Sequence, residues 1–216
     1  MERLLCPSMM CADYGRLSEE VRALDEARAD IFHCDIMDGT FVPNMTMGIM
    51  DIRAIRQYTG RQMDAHLMIE NPGEKVDWFI DAGVNIIYIH PESERYVVKT
   101  LSHIRERGVQ AGIAINPDTS IASVEELLNL CDYVMVMTVN PGFAGQKFID
   151  FTKRKISCLA EKKTQYGFHL MIDGSCSPQV IAEMSGMGVD GFILGTSALF
   201  GRGRSYKELM KELREV

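Results

Sequence analysis

The sequence predicts an α/β protein folded as a single (β/α)8 (TIM) barrel over residues 1–216, on three observations. Eight short apolar runs alternate with longer amphipathic segments, as a parallel sheet covered by helices requires. No break in composition and no Pro/Gly/Ser-rich linker interrupts the alternation. The turn after the first run, Ser8-Met9-Met10-Cys11-Ala12, also lacks the GxGxxG pattern of an open doubly wound sheet. A chain of 216 residues, 46% of them hydrophobic, can build one sizeable core. It falls a little short of the ~250 residues typical of the barrel and leaves little for a second domain.

In chain order, strands are expected at 4–8, 31–35, 62–67, 86–90, 110–115, 133–138, 169–173 and 191–194. Each run is short and rich in β-branched, aromatic or Met residues, the composition of strands buried on both faces. Helices are expected at 16–27, 76–82, 96–107, 121–130, 148–165, 179–187 and 206–214. In the first, Leu17, Val21 and Leu24 share one side, with charged residues opposite. Gly60, Gly83, Gly108, Gly167 and Gly188 follow helical stretches as C-terminal stops. Ser123-x-x-Glu126 reads as a capping box inside the helix expected at 121–130.

The formal charge of -7 argues against nucleic acid and anionic membranes as partners. The first seven residues show no basic stretch followed by an apolar run, and no apolar run approaches the ~20 residues of a membrane span. The expectation is a cytoplasmic protein. Its six cysteines, with no CxxC pair, read as reduced and mostly buried thiols. Apolar helix faces are compatible with a homo-oligomer.

Polar residues sit where a barrel strand should be apolar. His33 and Asp35 are two apart on the second strand, so alternation points both to one side. His66 ends the third strand and Asp173 the seventh, on the rim where barrel enzymes place their sites. Singly, each would more often make a structural hydrogen bond. Together, two imidazoles and two carboxylates suit one divalent cation, drawn from Zn, Mn, Fe, Co or Mg. Glycine-rich loops follow the last three strands: Gly142-Phe143-Ala144-Gly145, Gly174-Ser175 and Gly195-Thr196-Ser197. Such loops let backbone N–H groups close on a phosphate, with Ser and Thr adding hydroxyls. Met9, Met37, Met68 and Met137 lie at or just beyond strand ends, where core filling is the default role.

The stretches Pro7-Ser8, Phe32-His33-Cys34-Asp35-Ile36-Met37-Asp38-Gly39, Phe41-Val42-Pro43-Asn44, Asp64-Ala65-His66-Leu67-Met68, Asn140-Pro141-Gly142-Phe143-Ala144-Gly145-Gln146 and Asp173-Gly174 resemble the ribulose-phosphate 3-epimerase family nearly end to end. The resemblance implies a metal-dependent isomerase inverting C3 of a phosphorylated ketose through a cis-enediolate. It implies His33, Asp35, His66 and Asp173 as metal ligands and Asp35 and Asp173 as the acid/base pair. Ser8, His66 and the glycine loops would bind substrate. Ser175-Cys176 after Asp173-Gly174, His90-Pro91-Glu92 and the Gly195–Phe200 stretch look more like the allulose-6-phosphate 3-epimerase branch. The expected reaction is therefore D-allulose 6-phosphate to D-fructose 6-phosphate, with D-ribulose 5-phosphate to D-xylulose 5-phosphate as the alternative. A decarboxylase of the orotidine-monophosphate type would need Lys where Met37 stands, and a non-catalytic sugar-phosphate sensor would be expected to have lost the carboxylates or ligands.

Overall fold

The computed structural model describes residues 3–216, so Met1 and Glu2, part of the leader-free reading of the N-terminus, lie outside it. Eight parallel strands form the sheet: β1 (Leu4–Pro7), β2 (Ile31–Met37), β3 (Gln62–Met68), β4 (Ile86–Ile89), β5 (Gln110–Ile115), β6 (Tyr133–Met137), β7 (His169–Asp173) and β8 (Gly191–Leu194). Neighbours in sequence are neighbours in space, and β1 pairs with β8. A parallel bridge between Ser8 and His33 closes the ring between β1 and β2. The protein is a (β/α)8 barrel, as the alternation predicts, and no helix of the described residues is long and apolar enough to cross a membrane.

Around the barrel lie α1 (Leu17–Glu26), α2 (Ile49–Arg56), α3 (Val76–Asp81), α4 (Val97–Glu106), α5 (Thr152–Tyr166), α6 (Pro178–Gly186) and α7 (Tyr206–Glu215). Two stretches of the chain depart from the sequence expectation. The pattern of residues 49–56 did not mark α2, a short helix after a long Met-rich loop whose Asp51 carboxylate accepts from the Gly48 N–H. Between β5 and β6 the expected helix is instead two 3-10 stretches, Ile121–Ser123 and Glu125–Leu130. The proposed capping box fails there because Ser123 donates its hydroxyl back to the Ser120 carbonyl at 2.7 Å. Ser120 is the cap, accepting from the Ser123 N–H. Four of the five expected stop glycines, Gly83, Gly108, Gly167 and Gly188, take positive φ; Gly60 does not.

Period-two alternation sorts the side chains into two compartments. Outward residues such as Leu5, Phe32, Leu67, Ile87, Val134, Leu170 and Phe192 pack fully buried against the helices. Inward residues Cys6, Ile31, Ile86, Tyr88, Ala114, Tyr133, Met135, Met171 and Ile193 fill the lumen. Burying an aliphatic or Phe side chain contributes about 1.5–3 kcal/mol, so the barrel wall dominates stability. Gly191 makes room for that filling: a Cβ there would fall 2.3 Å from Met171 Cε. The apolar lumen stops at the C-terminal ends of β2, β3 and β7, where its inward positions become His and Asp.

Candidate active site and metal centre

The site follows from strand register. His33 stands opposite Asp64, and Asp35 opposite His66, in the β2–β3 pairing. All four positions face inward, so imidazoles and carboxylates alternate both along and across the strands. This pattern gives each imidazole a carboxylate neighbour.

The contacts are short. His33 Nδ1 lies 2.8 Å from Asp64 Oδ1 and 3.0 Å from Oδ2, and its Nε2 lies 3.2 Å from Asp35 Oδ1. Ser8 donates its hydroxyl to Asp35 Oδ2 at 2.6 Å. His66 Nδ1 stands 3.4 Å from Asp35 Oδ1 and 3.7 Å from Asp173 Oδ2, with no hydrogen-bond partner although it is buried. One ligand atom each from His33, Asp35, His66 and Asp173 falls within 4.8 Å of the others. An orphaned buried ring nitrogen facing two carboxylates is a donor arrangement that a divalent cation would satisfy. The donor set fits a divalent ion.

Burial and charge push the two rim carboxylates apart. Burial works against an ionised Asp35, but His33 and His66 outweigh it and hold that carboxyl below the ordinary range. Asp173 is pushed up to about 7, first by burial and then by the Asp35 charge. Burial disfavours the His33 imidazolium, yet Asp64 and Asp35 raise its pKa well above the usual value. One carboxylate thus favours being a base and the other an acid, the pairing expected of acid/base catalysis.

Asp35, Asp173 and Ser8 line one open cleft together with Gly142, Phe143, Ala144, Gly145, Gly174, Ser175, Gly195, Thr196 and Ser197. Every expected substrate-loop residue is therefore in one place. His33 and His66 lie beneath it, fully buried. Among the described residues no Lys or Arg lines the cleft, which leaves backbone N–H groups and hydroxyls to meet an anion. Gly174 holds φ +120°, and a Cβ there would come within 2.9 Å of the Val139 backbone nitrogen. Thr138 fixes this turn by donating its hydroxyl to the Asp173 and Gly174 carbonyls at 2.9 and 2.6 Å. Of the four strand-end methionines, Met37, Met68 and Met137 line the cleft, whereas Met9 is in the core. Cys34 and Cys176 are buried thiols with raised pKa, burial being the first cause for each.

Sequence reasoning did not assign Asp64, the carboxylate behind His33. The signal was present, since Asp64 is two residues from His66 and so shares its face. His90, buried and held down to about 4 chiefly by burial, and Glu92, at about 2 because His90, Thr119 and Asn116 outweigh its burial, were also not assigned to the site.

The model of the Ribulose-phosphate 3 epimerase family matches residues 4–200. The chain is 40% identical over 201 residues to a ribulose-phosphate 3-epimerase of Aquifex aeolicus (strain VF5), covering 92% of this chain and 90% of that one. It is 36% identical over 214 residues to the Escherichia coli (strain K12) enzyme of the same name, covering 98% and 94%. Among solved structures, a 3-hexulose-6-phosphate synthase superposes with TM-score 0.69 at 14% identity, covering 100% of this chain and 99% of that one. A tryptophan synthase alpha-subunit mutant from Pyrococcus furiosus gives 0.71 at 13%, covering 100% and 98%. At those identities the likeness concerns the barrel alone.

Proposed function

The chain belongs to the ribulose-phosphate 3-epimerase family, and from that premise we propose that this ketose-phosphate 3-epimerase interconverts D-ribulose 5-phosphate and D-xylulose 5-phosphate. The observation that carries the chemistry is the pair Asp35 and Asp173, offered from β2 and β7 into one cleft. The five-carbon substrate rests on the ribulose-phosphate name of relatives that align over nearly the whole chain.

The proton on C3 is acidified by the neighbouring C2 carbonyl. An ionised carboxylate at one face removes it, and the electron pair moves into a C2–C3 double bond with charge on O2. The carboxylic acid at the other face then protonates C3, which inverts the centre. The ketone re-forms, nothing is oxidised or reduced, and the two carboxyl groups have exchanged protonation states. Positioned acid/base groups of this kind typically contribute ~10²–10⁴-fold. His33, Asp35, His66 and Asp173 would hold a divalent ion, which would supply Lewis-acid stabilisation for charge on the substrate oxygens. Two imidazoles among its donors favour Zn²⁺, Mn²⁺, Fe²⁺ or Co²⁺ over Mg²⁺. Ser8 keeps one Asp35 oxygen oriented through its hydroxyl. Met37, Met68 and Met137 line the cleft with apolar surface that keeps water from the carbanion-like carbon. The turns at Gly142–Gly145, Gly174–Ser175 and Gly195–Ser197 receive the phosphate.

The six-carbon reaction expected from the sequence, D-allulose 6-phosphate to D-fructose 6-phosphate, is the second reading. Ser175 favours it: this non-glycine residue holds φ +54° in the cleft wall, in the Ser175-Cys176 stretch that resembles the allulose-6-phosphate branch. Side-by-side kcat/KM values for the two ketose phosphates decide. A ratio of tenfold or more for ribulose 5-phosphate is expected; the reverse ratio replaces the first reading with the second.

A further inference from the structure

Each imidazole of the cluster is backed by a carboxylate, directly for His33 through Asp64. For His66 the backing is one residue longer. His66 Nε2 lies 2.8 Å from His90 Nε2, with ring centroids 5.0 Å apart and planes only 23° from parallel. Two ring nitrogens this close attract only when one carries a proton and the other offers a lone pair. His90 Nδ1 in turn faces Glu92 Oε2 at 3.5 Å. Glu92 is itself anchored, because its Oε1 accepts from the Asn116 N–H at 2.9 Å and from the Thr119 hydroxyl. Both histidines are fully buried, so bulk water does not set their protons.

We propose that His90 and Glu92 are positioning residues that fix the tautomer of His66. This rests on the metal centre argued above. A carboxylate faces an N–H in preference to a lone pair, so Glu92 holds the His90 proton on Nδ1. His90 Nε2 is then an acceptor, and His66 donates to it from Nε2. A neutral imidazole has one N–H, which leaves the His66 Nδ1 lone pair aimed at Asp35 and Asp173, where the cation belongs. The opposite polarity would put the His66 proton on Nδ1, inside the cation site, and would turn a His90 lone pair toward Glu92. At 3.5 Å the last link is longer than a good hydrogen bond and acts as a charge-to-dipole contact. The loop after β5 is thereby coupled to the ligand at the end of β3.

Glu92→Gln tests the relay with almost no change of shape. Its amide oxygen keeps the bonds from Asn116 and Thr119, which turns the NH2 toward the His90 Nδ1–H. Zinc affinity, read by competition with a chromophoric chelator, is expected to fall roughly 10- to 100-fold, with the metal-free melting temperature unchanged. His90→Gln, whose amide oxygen accepts from His66, retains most of the affinity, and His90→Phe loses it. This pair carries the comparison should Glu92→Gln fail to fold. In zinc-loaded wild-type protein, long-range ¹H–¹⁵N spectra should show the His90 proton on Nδ1. Wild-type affinity in both Glu92→Gln and His90→Phe, or a His90 proton on Nε2, overturns the relay and leaves the metal centre standing. Wild-type protein that binds no zinc overturns both.

Discussion

Asp173→Asn should inactivate the enzyme and at the same time stabilise its metal-free form at alkaline pH. The Asp173 carboxyl is pushed from 3.8 up to about 7 by burial and by Asp35. The folded protein therefore holds that proton more tightly than the unfolded chain does. Stability falls as pH rises from about 4 to about 7 and stays reduced above it. At 1.36 kcal/mol per pKa unit the ceiling is about 4 kcal/mol. The side chain retains 17% exposure, and water and the shared Asp35 charge bring the expectation to roughly 2–4 kcal/mol. An uncharged Asn escapes this penalty. At about 2–4 °C per kcal/mol for a chain of this size, metal-free Asp173→Asn should melt at least about 4 °C above metal-free wild type at pH 8. The gap should close by about pH 3, below the ordinary carboxylate value, where Asp173 is protonated in both states. Activity moves the other way, with a loss of ~10² or more, because each direction of epimerisation needs both faces served. In D2O, the surviving Asp35 should still exchange the C3 hydrogen of one epimer without inverting it, and Asp35→Asn should do so for the other. Near-normal turnover in metal-loaded Asp173→Asn refutes the two-carboxylate scheme. A melting gap of the same size at both pH values refutes the electrostatic argument.

Stripping the protein with a chelator should abolish turnover and lower the melting temperature relative to protein in excess Zn²⁺ or Mn²⁺. Free metal at 100 times its Kd stabilises by ~2.7 kcal/mol, and calorimetry with and without metal measures it. Asp64→Ala removes the acceptor that holds His33 Nδ1 in a site with no exposure. It should weaken metal binding roughly 10- to 100-fold in a chelator competition. Gly174→Ala forces a Cβ toward the Val139 backbone at φ +120°. The expected cost is about 1–3 kcal/mol in a melt, with KM raised because the Gly174–Ser175 turn moves.

The barrel was legible because its strands are short and buried on both faces, so apolar runs and their bounds nearly coincide; β5, β7 and β8 begin and end at the expected residues. Helices read less well where tertiary contacts override local pattern. The segment between β5 and β6 has helical periodicity, but Ser120 and Ser123 close a tighter turn on each other's backbone. His33, Asp35, His66 and Asp173 were legible as charges in an apolar context. Asp64 was not assigned because a carboxylate in mid-strand can serve any neighbour. Only the β2–β3 register shows that its partner is His33.

The same reasoning explains why reaction class is easier to read than substrate length. Inverting C3 requires particular side chains, two carboxylates and a cation cradle, and side chains are what a sequence spells out. The stretch of a ketose phosphate that differs between five and six carbons lies between C3 and the phosphate. In the proposed binding mode that stretch would run along Val139, Gly142–Gly145, Gly174–Ser175 and Gly195–Ser197, with no Lys or Arg among the described lining residues. Recognition there falls to backbone N–H groups and to how far each turn stands from Asp35 and Asp173. Such distances depend on φ values such as +120° at Gly174 and +54° at Ser175, and a single carbon–carbon bond separates the two answers. If length is set by turn geometry, Ser175→Gly, which frees one of those dihedrals without touching a ligand, should change the ratio of kcat/KM between the two sugars more than it changes the better of the two values. An equal fall in both would place the length filter elsewhere in the cleft.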